Sequence, residues 1–312
     1  MGDVIHALPV VSDIVAAHAD VRIDWVVEES FAELPRLHPA VAEVIPIAIR
    51  RWRRQLQRAS TWREIGAVRA RLRAARYDLA IDLQGLIKSA VVARWTGAPV
   101  AGFSRECARE PLASFFYARR HTVPLDLHAI ERLRALAAQA LAYRPSGGPR
   151  FGLAVPAVEL SWRPRGPYAV LLHATSRPEK AWPAERWREL GEALRDAGVV
   201  SVLPWGSERE HEAARRLAAG IEGAVVAPRL ALTQCARLLA DAAAVVGVDT
   251  GLTHLSAALD ARTVALFAAT PAWRFGPYWS VRARSLGADG VWPGADQVTD
   301  ALREIGAFGA AT

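Results

Sequence analysis

Apolar positions recur every three and four residues from 3 to 20, which predicts a helix, and then the period changes. Residues 21–28 are rich in Val and Ile and predict a strand, and 42–49 is a second short apolar run. Residues 62–77 predict an amphipathic helix, and 79–83 a strand that stops at Gln84-Gly85. Helices are predicted over 87–95, 111–117 and 125–143. Arg144-Pro145-Ser146-Gly147-Gly148-Pro149-Arg150 then breaks the pattern and reads as a linker. Beyond it, strands are predicted at 168–173, 199–204, 245–249 and 263–268. They alternate with helices at 184–197, 208–219, 233–241 and 252–259, and 296–305 closes the chain as a further helix. Short strands alternating with helices predict an α/β protein with parallel sheets and right-handed crossovers. The domains are expected at 1–150 and 151–312, with the last helix free to pack back on the first domain. Two such domains would enclose a deep cleft, with ligands at the carboxyl ends of the strands.

The opening Met1-Gly2-Asp3-Val4-Ile5-His6 runs straight into a helix. A doubly wound domain is expected to begin with a strand that feeds a glycine turn into that helix. The turn is present without the strand. The expectation is therefore that a first, central strand is missing, or that the sheet is closed in another way.

Composition narrows the classes. A chain of 312 residues that is 52% hydrophobic is long enough for two cores. No apolar run approaches the roughly 18 residues a membrane helix needs, and there is no charged-then-apolar leader. Cys107 and Cys235 lack metal-site spacing and read as free thiols of a cytoplasmic protein. Residues 1–150 hold 22 Lys and Arg against 15 Asp and Glu, whereas 151–312 hold 17 of each. Residues 50–120 are more extreme, with 16 basic against 5 acidic. The first half should attract an anionic partner: nucleic acid, anionic lipid or an acidic acceptor. Nucleic acid is disfavoured, because no recognition module is present. A dinucleotide oxidoreductase is disfavoured too, since no G-x-G-x-x-G follows a strand.

Two segments carry the chemistry. Val245-Val246-Gly247-Val248-Asp249-Thr250-Gly251-Leu252-Thr253-His254-Leu255 reads as a buried strand turning into a helix. The unpaired N–H groups and positive dipole end of that helix favour an anion, Thr250 and Thr253 can add hydroxyls, and Gly251 permits close approach. Asp249 is a site residue on this reading and an ordinary helix cap on the other. Leu171-Leu172-His173-Ala174-Thr175-Ser176-Arg177-Pro178-Glu179-Lys180 is a second strand running into a polar loop. Thr175, Ser176 and Lys180 suit phosphate. Lys88 and Lys180 are the sole lysines in a chain of 39 basic residues. A lysine in a loop after a strand is a point charge for phosphate, or else a solvated loop residue.

Together these pieces resemble glycosyltransferase family 9, the ADP-heptose:lipopolysaccharide heptosyltransferases, across essentially the whole chain. The matching segments are Met1-Gly2-Asp3-Val4-Ile5-His6-Ala7-Leu8-Pro9 at the start, Ile49-Arg50-Arg51-Trp52-Arg53, Asp82-Leu83-Gln84-Gly85-Leu86-Ile87-Lys88-Ser89 and Ala108-Arg109-Glu110-Pro111-Leu112-Ala113-Ser114-Phe115-Phe116-Tyr117. In the second half they are His173-Ala174-Thr175-Ser176, Lys180, Leu203-Pro204-Trp205-Gly206 and Asp249 through His254. The arginine–tryptophan cluster resembles the branch that adds the first heptose to the Kdo region.

The resemblance implies a GT-B fold of two facing Rossmann-like domains. It implies an inverting transfer from ADP-L-glycero-D-manno-heptose to Kdo2-lipid A, with no metal and no cofactor. Asp3 would be the general base, or alternatively a cap of the first helix. Lys180, Thr175, Ser176, Glu210, Asp249, Thr250, Gly251 and His254 would hold the donor, with Lys180 also stabilising the departing ADP. Glu210 and His254 also fit plain helix positions. Arg50, Arg51, Arg53, Arg54, Lys88, Arg109 and Arg120 would hold the acidic acceptor. Trp52 would meet a sugar face or the membrane surface, or be buried in the core. The enzyme would work in the cytoplasm, on the anionic surface of the inner membrane. Another core heptosyltransferase, an epimerase of similar fold and an inactive sugar-nucleotide-binding protein remain open at this point.

Overall fold

The computed structural model describes residues 1–175, 177–288 and 290–307. The chain divides into two compact units, His6–Gly152 and Leu153–Thr312, with Met1–Ile5 belonging to the second.

The N-terminal unit takes α1 (Gly2–Ala17), β1 (Ile23–Glu28), α2 (Glu33–Arg36), β2 (Val41–Ile47), α3 (Ile49–Trp52) and α4 (Ala59–Ala74). It continues with β3 (Ala80–Ile81), α5 (Ile87–Arg94), β4 (Val100–Phe103), β5 (Arg119–His121) and α6 (Ala129–Leu141). All pairings are parallel, in two separate pieces: β1 with β2, and β3-β4-β5. Among the described residues no ladder joins the two pieces and no strand precedes α1. Side chains hold them together instead. Val10 and Ile14 of α1 and Ala137 of α6 pack with Ile23 of one piece and Leu83 of the other. A buried ion pair, Arg134 Nε to Asp13 Oδ2 at 2.7 Å, ties α6 to α1.

Several expected elements differ. Residues 111–117 form a 3-10 turn, Pro111–Phe116, rather than an α-helix. Pro111 opens it, and Ser114 Oγ donates to the Pro111 carbonyl. The helix expected from 125 begins at Ala129, where His128 Nδ1 caps the Ile130 N–H at 3.1 Å. β4 and β5 were not anticipated; they are four and three residues long, too short to show a period.

The C-terminal unit is a six-stranded parallel sheet with α7 (Ala184–Asp196), α8 (Glu208–Ala218), α9 (Leu232–Ala240), α10 (Gly251–Ala258), α11 (Ala272–Phe275) and α12 (Ala295–Glu304). Its strands are β6 (Tyr168–Leu172), β7 (Val200–Leu203), β8 (Val225–Val226), β9 (Ala244–Val248), β10 (Thr263–Leu266) and β11 (Ala283–Leu286), in the order β11-β10-β9-β6-β7-β8. β6, β9 and β10 are fully buried, as expected of central parallel strands covered on both faces. The chain order reverses between β6 and β9, and loops after those strands leave from the same edge of the sheet. α12 packs through Val298, Ala301 and Leu302 into the core of this unit, alongside α7. The edge strands β8 and β11 were not anticipated either. One is two residues long, and the other carries Arg284 and Ser285.

Candidate active site

Buried β9 ends at Val248 and delivers Asp249 to the start of α10. Thr250 occupies the cap position, extended; its hydroxyl caps no backbone N–H and lies 3.2 Å from Thr253 Oγ1. Asp249 is therefore not the cap. Its backbone N–H bonds the Leu266 carbonyl of the neighbouring strand, and its carboxylate collects side chains from three segments. Lys180 Nζ lies 2.5 Å from Oδ2, Thr270 Oγ1 donates to Oδ2 at 2.6 Å, and His254 Nε2 is 3.0 Å from Oδ1. Burial opposes ionisation of Asp249. The hydrogen bond and charge of His254, with the bonds from Lys180 and Thr270, outweigh it and hold the carboxyl well below the usual carboxylate range.

Lys180 reaches this point from the loop after β6, through the 3-10 turn Pro178–Lys180. His254 is both things the sequence allowed: a buried helix residue and a partner of Asp249. Thr253 is not the donor it was expected to be. It is buried, and its hydroxyl is spent on the Val248 carbonyl at 2.6 Å. That bond needs Gly247, where a Cβ would run into Thr253 Oγ1 and come 2.9 Å from Leu172 Cβ. The N–H groups at the start of α10 retain their appetite for an anion.

The first residues of the chain belong to this same unit. A Cβ at Gly251 would meet the Met1 side chain at 2.5 Å, and one at Gly2 would lie 3.4 Å from His254 Cδ2. The first turn of α1 thus rests over the start of α10, and Asp3 stands exposed in that turn rather than at the cap.

The other residues expected to hold the donor follow β6 and β7. Thr175 Oγ1 accepts from the Arg177 N–H at 3.2 Å and shapes the loop; Ser176 lies outside the described residues. Glu210 accepts from the Gly206 N–H at 2.7 Å while Ser207 accepts from the Glu210 N–H, a reciprocal cap on α8. Beside it Trp205 stacks on His211, with ring centroids 4.2 Å apart. His173, at the end of β6, is half-buried. Burial pushes its imidazole down, against the opposing pull of the Leu171 carbonyl and Glu210.

In the N-terminal unit, Asp82 organises a second centre. Its carboxylate accepts from Gln84 N–H at 2.9 Å, Gly85 N–H, Ser89 Oγ at 2.8 Å and Tyr117 OH at 2.7 Å. Burial still pushes its carboxyl up. The turn it holds has Gly85 at φ +66°, where a Cβ would sit 3.2 Å from the Arg109 nitrogen. Glu110 Oε2 accepts from the Ile87 N–H at 2.7 Å, which brings exposed Lys88 and Arg109 to the same place. Arg120 Nε donates to the Ser114 carbonyl at 2.9 Å.

The arginine cluster on α3 divides. Arg51 is committed to Glu29 and Glu64 at 3.1 and 2.9 Å. Arg50 lies over the Phe31 ring, and Arg53 and Arg54 are exposed. Trp52 is in the core, with its indole N–H on Glu64 at 2.8 Å, and meets neither a sugar nor a membrane.

Thr270 is the residue that sequence reasoning missed. It follows β10 in a loop with no motif. The neighbourhood of Asp82 was legible only as a matching segment.

Parallel α/β units, one presenting Lys180, Asp249 and a helix N-terminus at its strand ends, define a glycosyltransferase of the GT-B fold class. Residues 65–302 match the sequence profile of glycosyltransferase family 9 (heptosyltransferase), and the chain belongs to that family. It is 49% identical over 294 residues to lipopolysaccharide heptosyltransferase 1 of Pseudomonas aeruginosa, covering 93% of this chain and 81% of that one. It is 45% identical over 280 residues to the protein of the same name from Escherichia coli K12, covering 89% and 88%. Among solved structures, Escherichia coli heptosyltransferase WaaC with ADP superposes with a TM-score of 0.89 at 41% identity, covering 98% of this chain and 97% of that one. The same enzyme with ADP-2-deoxy-2-fluoro heptose gives a TM-score of 0.85 at 42% identity, covering 97% and 96%. Among the described residues no group of His, Cys, Asp and Glu is placed to hold a metal ion, and no helix is long and apolar enough to cross a membrane.

Proposed function

We propose that this chain transfers L-glycero-D-manno-heptose from ADP-heptose to a Kdo sugar of Kdo2-lipid A, with inversion, in building the lipopolysaccharide inner core. The observation that carries this is the convergence of Lys180, His254 and Thr270 on Asp249, at the start of α10 and under the first turn of α1. A cation beside the N–H groups of a helix start is the chemistry that suits a diphosphate. Homologues named as heptosyltransferases, and similar structures with ADP and with ADP-2-deoxy-2-fluoro heptose, support the donor.

The roles follow from the chemistry. Asp3 takes the proton from the acceptor hydroxyl as its oxygen attacks the anomeric carbon, and the bond from that carbon to the phosphate oxygen breaks. Lys180 and the start of α10, with Thr250 and Gly251, stabilise the negative charge gathering on ADP. Asp249 holds Lys180 ready, and His254 and Thr270 hold Asp249. Thr175, Ser176 and Glu210 serve the donor from the neighbouring loops. Arg50, Arg53, Arg54, Lys88, Arg109 and Arg120 meet the carboxylates and phosphates of the acceptor, with Arg51 bracing α3. The acceptor is lipid-linked, so the enzyme works against an anionic membrane surface on the cytoplasmic side.

Mass spectrometry of Kdo2-lipid A incubated with the chain and ADP-heptose tests this. A gain of one heptose is expected. An unchanged acceptor, with ADP-heptose bound, would refute transfer and leave a sugar-nucleotide-binding protein.

A further inference from the structure

The transfer chemistry leaves one surface of the N-terminal unit unused. Between α4, α5 and the 3-10 turn lies a groove of about 410 Å³, lined by Arg69, Val91, Arg94, Trp95, Phe115 and Phe116. Its lining is apolar and aromatic apart from two guanidinium groups. Phe115 is 64% exposed, and Leu112 is 56% exposed. They stand three residues apart in a 3-10 helix, where side chains eclipse, so both project from the same side.

α4 extends this surface. Trp62, Gly66, Arg69 and Arg73 follow one another on a single helical face. Trp62 is 59% exposed, with its indole N–H on the carbonyl of Leu56, itself 49% exposed. The Arg73 side chain runs beside Gly97, just past α5. Isolated exposed apolar residues are ordinary; a group of them rimmed by arginines on adjoining elements marks a contact surface.

Charge says what kind. α4 carries Arg63, Arg69, Arg71 and Arg73 against Glu64 alone, and Glu64 is occupied by Arg51 and Trp52. Among the described residues Arg69, Arg73 and Arg94 form no ion pair. An occupant must supply both apolar matter for Phe115, Leu112 and Trp62 and anions for three arginines. A bilayer with anionic headgroups supplies the two in adjacent layers, and Trp and Arg suit that boundary.

We propose that this groove and its rim are the face by which the protein docks on an anionic phospholipid membrane. Phe115, Leu112 and Trp62 enter the boundary between headgroups and acyl chains, and Arg69, Arg73 and Arg94 bind lipid phosphates. The proposal deepens the reading of the protein as an enzyme of lipid-linked acceptors, and rests on it.

The test is flotation of the full chain with vesicles of phosphatidylglycerol and phosphatidylethanolamine, and with neutral phosphatidylcholine vesicles. The chain is expected to float with the anionic vesicles, less so at high salt. Arg69→Gln with Arg94→Gln should weaken that binding about thirtyfold, at the usual contribution of each cation near an anionic surface. Leu112→Ser with Phe115→Ser should weaken it about tenfold or more by removing inserted apolar area. Both variants should keep the wild-type melting temperature and full transfer to a deacylated, water-soluble acceptor. A wild-type chain that stays off anionic vesicles overturns the proposal, and so do variants that bind as wild type does. A wild type that floats but transfers no heptose to the deacylated acceptor counts against the transferase reading instead, so the two failures are distinguishable.

Discussion

Replacing Lys180 by Met keeps the length of the side chain and removes its charge. In the free protein the ammonium lies 2.5 Å from Asp249, with 16% of the lysine side chain and 9% of the aspartate side chain exposed. Exposed ion pairs contribute roughly 0–1 kcal/mol, and breaking a buried one costs roughly 3–5 kcal/mol. This pair lies between those limits, and Thr270 and His254 remain on the carboxylate. A loss of about 2 kcal/mol is expected, or about 4–8 °C in the melting temperature of a unit this size. ADP binding loses more selectively. The diphosphate must draw Lys180 from Asp249 or share it, so the net gain is smaller than a full charge-assisted hydrogen bond. About 1.5–2 kcal/mol corresponds to roughly ten- to thirtyfold weaker ADP binding. Calorimetric titration with ADP and a thermal melt measure the two effects separately. Lys180→Arg should recover part of the affinity, because its charge is retained but its planar fork cannot act as a point charge. ADP affinity within about twofold of wild type, together with a lowered melting temperature, would refute the reasoning: Lys180 would then be a structural partner of Asp249 and nothing more.

Asp3→Asn should leave ADP affinity unchanged and slow transfer by about 10²–10⁴, the usual span for a lost general base; a fully active variant removes Asp3 from that role. Gly247→Ala should destabilise the C-terminal unit by about 1–3 kcal/mol in a urea melt, since its Cβ meets Thr253 Oγ1 and lies 2.9 Å from Leu172 Cβ. The depressed carboxyl of Asp249 sets a pH dependence. Its contribution to stability is complete above the unfolded value of about 3.9 and is lost as pH falls below it toward the folded value. The wild-type melting temperature should therefore fall steeply below about pH 4. Asp249→Asn should start lower at pH 7 and fall less over the same range.

What could be read from the chain depended on which surfaces were buried. β6, β9 and β10 are covered on both faces, so their apolar runs are unbroken and their ends are visible as the first polar residues, His173 and Asp249 among them. β8 and β11 lie at the edges of the sheet: β11 tolerates Arg284 and Ser285 and looks like loop, and β8 is only two residues long. Lys180 stood out because lysine is so scarce here, and Gly251 because it sits where a strand hands over to a helix. In the arginine cluster, sequence could not say which way neighbours on one short helix point. Partners from separate segments, Glu29 and Glu64 with the surrounding core, send Trp52 inward and spend Arg51. Thr270 shows the limit most directly. It reaches Asp249 because β9 and β10 are parallel with Val248 opposite Leu266, so the residues just past each strand leave the sheet side by side. That neighbourhood is a property of register between strands, and register is carried by the packed core of the whole unit rather than by any pattern around residue 270. The same logic explains why polar residues from separate strands gather at one place in the unit. Parallel strands with right-handed crossovers collect their carboxyl ends, and whatever polar residues follow them, along a single edge.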